Sequence, residues 1–387
     1  MGAGEGAVGS TLMVVAGEAS GDLHGAALCR ALRARVPGLR LTGMGGDLMA
    51  AAGVGLLAHV RDVAVVGLSE VTRRLPALWR SWRRLVAALD RERPRALVLI
   101  DFPGFNLRLA RRARRLGVPV VYYVPPQVWA WRPGRLARIR RDVALVLAVL
   151  PFEAPLYRAA GVPVAYVGHP ILDALVGAPS REAARRLLGL APTDLVVGLL
   201  PGSRPHEVAR LLPLMRAAAV RLAAARPGAR FVLARAPTVG AADLARRLDG
   251  GPPVQVEAGR THAVMRAADL LLVASGTAAL EAALLGTPMV VCYRVSRATA
   301  FVARRVLRVP WISLANLVLG RAVVPELYTP ADATPARLAA EALRLLDTPA
   351  ARAAQRAAFA ELAAELGPPG VADRAAQLVL AQARVAA

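Results

Sequence analysis

The sequence predicts an α/β protein built as two doubly wound domains, and three observations carry that prediction. Short apolar runs that end at Gly or Pro alternate with Arg/Ala/Leu segments of helical period, the pattern of βαβ units around a parallel sheet. That pattern occurs twice, on either side of a Pro- and Gly-rich stretch at 168–180. A chain of 387 residues also exceeds the length at which one core usually suffices.

A glycine-rich lead-in over 1–10 comes first, with no basic or apolar segment that would make it a signal peptide. Strands are then expected at Thr11–Ala16, 39–42, Ala96–Ile100, 118–124 and 145–150, which make a first domain over 11–170. Each is an apolar run of strand length, rich in β-branched residues and closed by a turn. The stretch 168–180 links to a helix at 181–188. A second domain over 171–350 takes strands at 195–200, 230–234, 254–257, Leu270–Ala274 and 288–293. Ala-rich helices follow from 335, and the segment 351–387 is a candidate to pack back on the first domain.

Composition limits the function classes. Apolar residues make up 56% of the chain, and the formal net charge is +23. All 50 basic residues are Arg, a skew that accompanies abundant Ala, Gly and Pro and fits a GC-rich coding bias. The arginines are spread along helices instead of massed in one arm, so the charge argues only weakly for nucleic acid. A positive field does favour acidic lipids and phosphorylated substrates. Cys29 and Cys292 form no Cys-x-x-Cys pair, which excludes a cysteine zinc cluster and fits a reducing setting. No apolar run of about 18 residues appears, so any membrane contact is expected to be peripheral.

Two turns suit a nucleotide diphosphate. Leu270–Ala274 runs into Ser275-Gly276-Thr277 and then a helix carrying Glu281. The first turn of a helix leaves backbone N–H groups unpaired at the positive end of the helix dipole, so this turn suits a phosphate, and Glu281 a ribose hydroxyl. The run 195–200 likewise ends in Pro201-Gly202-Ser203-Arg204, whose guanidinium can pair bidentately with phosphate oxygens. Many βα turns contain Gly and Ser and bind nothing, and Arg204 in an Arg-rich chain also fits a solvated surface residue. In the first domain, Gly17-Glu18-Ala-Ser20-Gly21-Asp22 follows the first strand, and Asp101-Phe-Pro-Gly-Phe-Asn106 follows Ala96–Ile100. A carboxylate at a strand end can face a ligand or serve as a helix cap. Trp129 and Trp131 follow Pro125-Pro126 and suit an acceptor groove or burial against the sheet. Leu75, Leu78, Trp79 and Trp82 form an apolar stripe at helical spacing among arginines, with 63–68 adding apolar surface upstream. The stripe suits an interfacial helix or a crossover helix packed on its own sheet.

The blocks Gly17-Glu-Ala-Ser-Gly-Asp22, Ile100-Asp-Phe-Pro-Gly-Phe-Asn106, Val128-Trp-Ala-Trp131, Leu150-Pro-Phe-Glu153, Gly168-His-Pro170, Leu200-Pro-Gly-Ser-Arg204, Ala274-Ser-Gly-Thr277 with Glu281, and Ser313-Leu-Ala-Asn316 occur in this order. Taken together they resemble the lipid-A-disaccharide synthase family, glycosyltransferases of the GT-B fold, in which two Rossmann-like doubly wound domains face a cleft. The resemblance implies transfer of a 2,3-diacylglucosamine from UDP onto 2,3-diacylglucosamine 1-phosphate, at the cytosolic face of the inner membrane and in contact with its anionic surface. Asp101 matches the catalytic base. Arg204, with Gly202 and Ser203 in its turn, the Ser275-Gly276-Thr277 turn, Glu281 and Asn316 match the UDP side. Gly17, Glu18, Ser20 and Gly21 match the glycine-rich turn that faces that cleft. The family often carries a glutamine soon after the Glu-Leu that follows Asn316, whereas this chain reads Pro325-Glu-Leu-Tyr-Thr329.

An inverting displacement needs a base for the acceptor hydroxyl and an electrophile for the departing diphosphate, roles that Asp101 and Arg204 with the Ser275 helix start suit. No Asp-x-Asp occurs in the chain, so neither a metal nor a cofactor is expected. The rival readings are another UDP-sugar enzyme of the same fold, such as a UDP-N-acetylglucosamine epimerase or a peptidoglycan glycosyltransferase, or an Arg-rich nucleic-acid-binding protein. The last would need base-stacking aromatics on a concentrated basic face, so no nucleic-acid partner is expected.

Overall fold

The computed structural model describes residues 10–63, 71–130, 134–294 and 309–386. Contacts divide the chain into two compact units, Met1–Asp173 with Pro368–Ala387, and Ala174–Gly367.

The first unit is a seven-stranded parallel sheet made of β1 (Thr11–Ala16), β2 (Arg40–Gly45), β3 (Gly55–His59), β4 (Ala96–Ile100), β5 (Val120–Tyr123), β6 (Leu145–Ala148) and β7 (Val164–Tyr166). The strand order is β3-β2-β1-β4-β5-β6-β7. The chain therefore reverses direction of winding between β1 and β4, the place where doubly wound sheets open a crevice. Every residue of β4 is buried, as helices on both faces require of a central parallel strand. Met13, Val15, Leu97 and Leu99 pack there against Leu85, Leu89, Leu109 and Tyr157.

The second unit repeats the arrangement with β8 (Val196–Leu200), β9 (Arg230–Arg235), β10 (Val254–Ala258), β11 (Leu270–Ala274), β12 (Met289–Cys292) and β13 (Glu326–Leu327). The order is β10-β9-β8-β11-β12-β13, again parallel throughout. Leu199, Leu233, Leu272 and Val290 meet Leu211, Met215 and Leu338 in its core.

Three strands were not foreseen. β3, β7 and β13 lie at sheet edges; β3 and β7 carry apolar runs of only three or so residues and β13 only two residues, too little to separate a strand from a loop. The helices beyond 349 divide between the two units. Pro349–Leu366 counts with the second, while Val371–Ala383 packs along Ala19–Arg35 of the first. Of the segment 351–387, the part from Pro368 onward groups with the first unit. Gly367 takes a positive φ at the break, and Pro368 follows, a pairing that ends a helix and redirects the chain.

Candidate active site

Ligands of doubly wound sheets bind at the carboxyl ends of the strands. In the first unit β4 ends at Ile100, and Asp101 and Phe102 both take left-handed backbone, φ 48° and 47°. Beside them, after β5, Val124 does the same at φ 53°. Left-handed backbone at residues that carry a Cβ costs on the order of 1–3 kcal/mol each and persists only where the surroundings over-determine it. Here they do. The Asp101 carbonyl accepts from the Asn106 amide at 2.7 Å and from the Tyr122 hydroxyl at 2.7 Å, and the Asp101 amide donates to Val124 at 3.3 Å. Burial pushes the Tyr122 hydroxyl well above the usual phenol range, so it stays a donor. Asp101 as a residue is half-buried at the end of β4.

The Phe102 ring explains Gly17. A Cβ at Gly17 would lie 2.2 Å from that ring, so the turn after β1 closes only around glycine. Gly21 sits with its missing Cβ against Ala16, again a packing demand. Glu18 holds the N-cap position of helix Ala19–Arg35, and Ser20 is exposed on its first turn. Asp22 is buried and accepts from the amides of Gly46, Leu48 and Met49 at 2.7, 3.2 and 3.0 Å, so it caps the helix Asp47–Ala51. Nearby, His24 and His169 meet edge to face at 6.4 Å. Burial lowers their pKa values to about 4 and about 3, which keeps both rings neutral.

Trp129 is half-buried, with its indole N–H on Glu153 at 3.0 Å and its ring edge-on to Phe152 at 5.0 Å. Burial raises Glu153 to about 7. Trp131 lies outside the described residues, as do 64–68. The helix Val71–Glu92 splits the predicted stripe. Leu78, Trp82 and Val86 pack on the first core with Leu85 and Leu89, and Trp82 stands edge-on to Phe105 at 5.3 Å. Leu75 and Trp79 remain 52% and 59% exposed, the Trp79 ring under the Arg83 guanidinium at 4.8 Å. Trp82 and Leu78 are partly buried against that core, because their spacing with Leu85 and Leu89 places them toward the sheet-facing side.

In the second unit β8 leads through Gly202 (φ 110°) to Arg204 at the N-cap of helix Pro205–Ala225. A Cβ at Gly202 would come within 2.8 Å of the Glu207 carboxylate, which accepts from the Arg204 amide at 3.3 Å and its guanidinium at 3.0 Å. Arg204 is thus aimed by Glu207 while its side chain stays largely exposed. Ser203 is exposed, with its carbonyl accepting from the Thr238 hydroxyl. Tyr293, after β12, feels both Glu207 and Arg204, which puts that ring at the same edge.

After β11, Gly276 and Thr277 are exposed at the start of helix Thr277–Leu284, and Ser275 donates its hydroxyl to Ile312 at 2.8 Å. Glu281 lies one turn on, its carboxylate 3.0 Å from His262 Nε2. Asn316 is wholly buried. Its amide nitrogen donates to Val324 (3.0 Å) and Glu326 (2.8 Å), and its oxygen accepts from Val323 (2.7 Å) and Val324 (2.9 Å). Its side chain thereby supports the loop beside it. Glu326 completes that support by accepting from Ile312 at 2.8 Å and Ser313 at 2.9 Å, and burial raises its pKa. Tyr122, Glu153, Glu207, His262 and Glu326 were missed as supporting residues; Glu207, at the capping-box spacing from Arg204, could have been found from the sequence, whereas only proximity in space reveals the others. The described residues contain no cluster of three His, Cys, Asp or Glu suited to a metal.

Nearly the whole chain is similar to known proteins. It matches the family described as Lipid-A-disaccharide synthetase over residues 12–381. It is 46% identical over 371 residues to the lipid-A-disaccharide synthase of Myxococcus xanthus, covering 95% of this chain and 96% of that protein. To that of Geobacter sulfurreducens it is 44% identical over 370 residues, with the same coverage. The chain belongs to the lipid-A-disaccharide synthase family. It is a hexosyltransferase of lipid A disaccharide synthesis and uses a UDP-sugar and lipid-linked substrates. Among solved structures, the UDP-GlcNAc 2-epimerase of Neisseria meningitidis bound to UDP-GlcNAc superposes with a TM-score of 0.68 at 10% identity, over 96% of this chain and 100% of that one. MurG of Acinetobacter baumannii superposes with a TM-score of 0.56 at 13% identity, over 96% and 99%. These neighbours share the GT-B fold, the one the rival enzyme readings also require, and the sequence relatives favour lipid A disaccharide synthesis over those rivals.

Proposed function

We propose that the chain moves 2,3-diacylglucosamine from UDP to the 6-hydroxyl of 2,3-diacylglucosamine 1-phosphate, with inversion, to give a β-1′,6-linked disaccharide 1-phosphate and UDP. Asp101 takes the proton of the acceptor hydroxyl as that oxygen attacks the anomeric carbon. Arg204 and the amides at the start of helix Thr277–Leu284 receive the charge that develops on the departing diphosphate, and Glu281 accepts from the ribose. The observation that carries this reading is the Asp101 peptide, strained in the left-handed region and held by both Asn106 and Tyr122. Strain so firmly held at a strand end is the mark of a side chain that must point in one direction.

Asp101→Asn tests it. Transfer should fall about 100-fold to 10,000-fold, the usual contribution of a general base, with the Kd for UDP unchanged. Turnover like that of the wild type would remove Asp101 from the chemistry. Arg204→Ala should weaken UDP binding about tenfold or more, as loss of a charge-assisted pair does, while a chelator leaves wild-type turnover unchanged. Activity lost to chelator and restored by magnesium would overturn the metal-free scheme. Exposed Leu75 and Trp79, with Arg80, Arg83 and Arg84 exposed around them, support peripheral contact with the anionic cytosolic face of the inner membrane, where acylated substrates reside. No helix among the described residues is long and apolar enough to cross a membrane.

A further inference from the structure

Two blocks at the carboxyl edge of the first sheet, 128–130 and 150–153, have no part in the chemistry above. Glu153 joins them. Its side chain is buried, and one oxygen accepts from the amides of Val149 at 3.2 Å and Leu150 at 3.1 Å. The other accepts from the Trp129 indole at 3.0 Å. Tyr157, on the same short helix Glu153–Ala159, donates its hydroxyl to Pro126 at 3.0 Å. At its other end the segment 124–130 begins with Val124, whose carbonyl accepts from the Asp101 amide. The segment is thus tied to Asp101 where it starts and to Glu153 where it ends. A buried carboxylate is costly unless its lone pairs are taken, and here three donors take them. Because those donors approach in fixed directions, they set the orientation of the indole more closely than packing against Phe152 does.

We propose that Glu153 is a positioning residue for the acceptor: through Trp129 it fixes segment 124–130 beside Asp101 and so sets where the acceptor hydroxyl meets that carboxylate. This rests on the reading of Asp101 as the base. The residue that makes it testable is glutamine, which offers one acceptor and one donor, so Glu153→Gln points an N–H₂ either at the two amides or at the indole N–H. Trp129→Phe removes the indole donor and leaves the two amides served.

The experiment is a double-mutant cycle on the full chain, with acceptor and donor kinetics and UDP binding measured for each variant. Glu153→Gln should lower kcat/KM for the acceptor at least tenfold, with the donor KM and the Kd for UDP unchanged. In the Trp129→Phe background the same change should add less than twofold, because its route of action is already gone. Penalties that multiply, or an equal rise in donor and acceptor KM, overturn the proposal. Should Glu153→Gln fail to fold, Trp129→Phe alone decides: a threefold or greater rise in acceptor KM at unchanged melting temperature upholds it, and unchanged kinetics overturn it. Asp101→Asn reports separately on the base, so wild-type turnover there would sink that reading while the cycle still judges the coupling of Glu153 to Trp129.

Discussion

Asn316 has the residue type that a nucleotide site uses, yet its surroundings consume it. With both amide protons and the carbonyl engaged by Val323, Val324 and Glu326, it shapes the loop that also receives the Ser275 hydroxyl through Ile312. Asn316→Asp removes two donations and sets a carboxylate against Glu326, which should cost about 2–4 kcal/mol in urea unfolding and weaken UDP binding in parallel. Unchanged stability with lost UDP affinity would instead make Asn316 a direct ligand. Glu153 supplies a pH signature. Its folded pKa of about 7 lies above the ordinary 4.5, so its contribution to stability is complete below 4.5 and is lost as pH rises through 7. The loss is on the order of 3 kcal/mol at about 1.36 kcal/mol per pH unit. Unfolding of wild type and Glu153→Gln from pH 5 to 8 should show the wild type alone carrying that slope. The neutral pair His24 and His169 acts in the opposite sense, with stability present above 6.5 and lost as pH falls toward 4 and 3.

The helix Val71–Glu92 carries one stripe in sequence and two faces in space. Periodicity reveals that Leu75, Leu78, Trp79 and Trp82 share a helix, but the sheet beneath decides which of them it covers. Trp82 stands edge-on to Phe105 and is partly buried against the core, whereas Trp79 stands in solvent beside Arg83. Trp79→Ser should leave the melting temperature within a degree or so and reduce sedimentation with anionic vesicles, since burial of apolar groups and attraction of the flanking arginines drive such contact. Trp82→Ser should cost about 2–3 kcal/mol of stability by opening a cavity against Phe105. Equal vesicle binding by wild type and Trp79→Ser would leave that face without a membrane role. The edge strands β3, β7 and β13 illustrate the same limit, since runs so short become strands only through pairing with a neighbour.

In the molecule as a whole, the last helix belongs to the first unit. Asp173 accepts from the amides of Gly370, Val371 and Ala372 at 2.5, 3.0 and 2.8 Å, capping Val371–Ala383, and Arg35 pairs bidentately with Asp373 at 2.8 and 2.7 Å. Arg374 reaches the Val167 carbonyl at 3.0 Å. Asp173→Ala removes the cap and should cost about 1–2 kcal/mol. Hydrogen exchange should then quicken in Val371–Ala383 first, with the strands β8 and β11 still protected. Equal exchange in both proteins would show that packing against Ala19–Arg35 holds the helix without Asp173.

The sequence by itself determined the two parallel sheets, their central strands and the turns that carry Asp101, Arg204 and Ser275, because buried strands and glycine turns are written in local apolar pattern and residue type. Family membership was legible for the same reason: its motif blocks are contiguous. Only the tertiary structure decided what surrounds those turns. Tyr122 and Asn106 grip the Asp101 peptide, Glu207 aims Arg204, His262 meets Glu281, Asn316 is spent on its own loop, and Glu153 holds Trp129. The contacts of Tyr122, His262 and Glu153 depend on which strand end lies beside which, and hydrogen bonds between residues so distant in the chain leave no periodicity to read; those of Asn106, Glu207 and Asn316 are local but depend on the turn conformation around them.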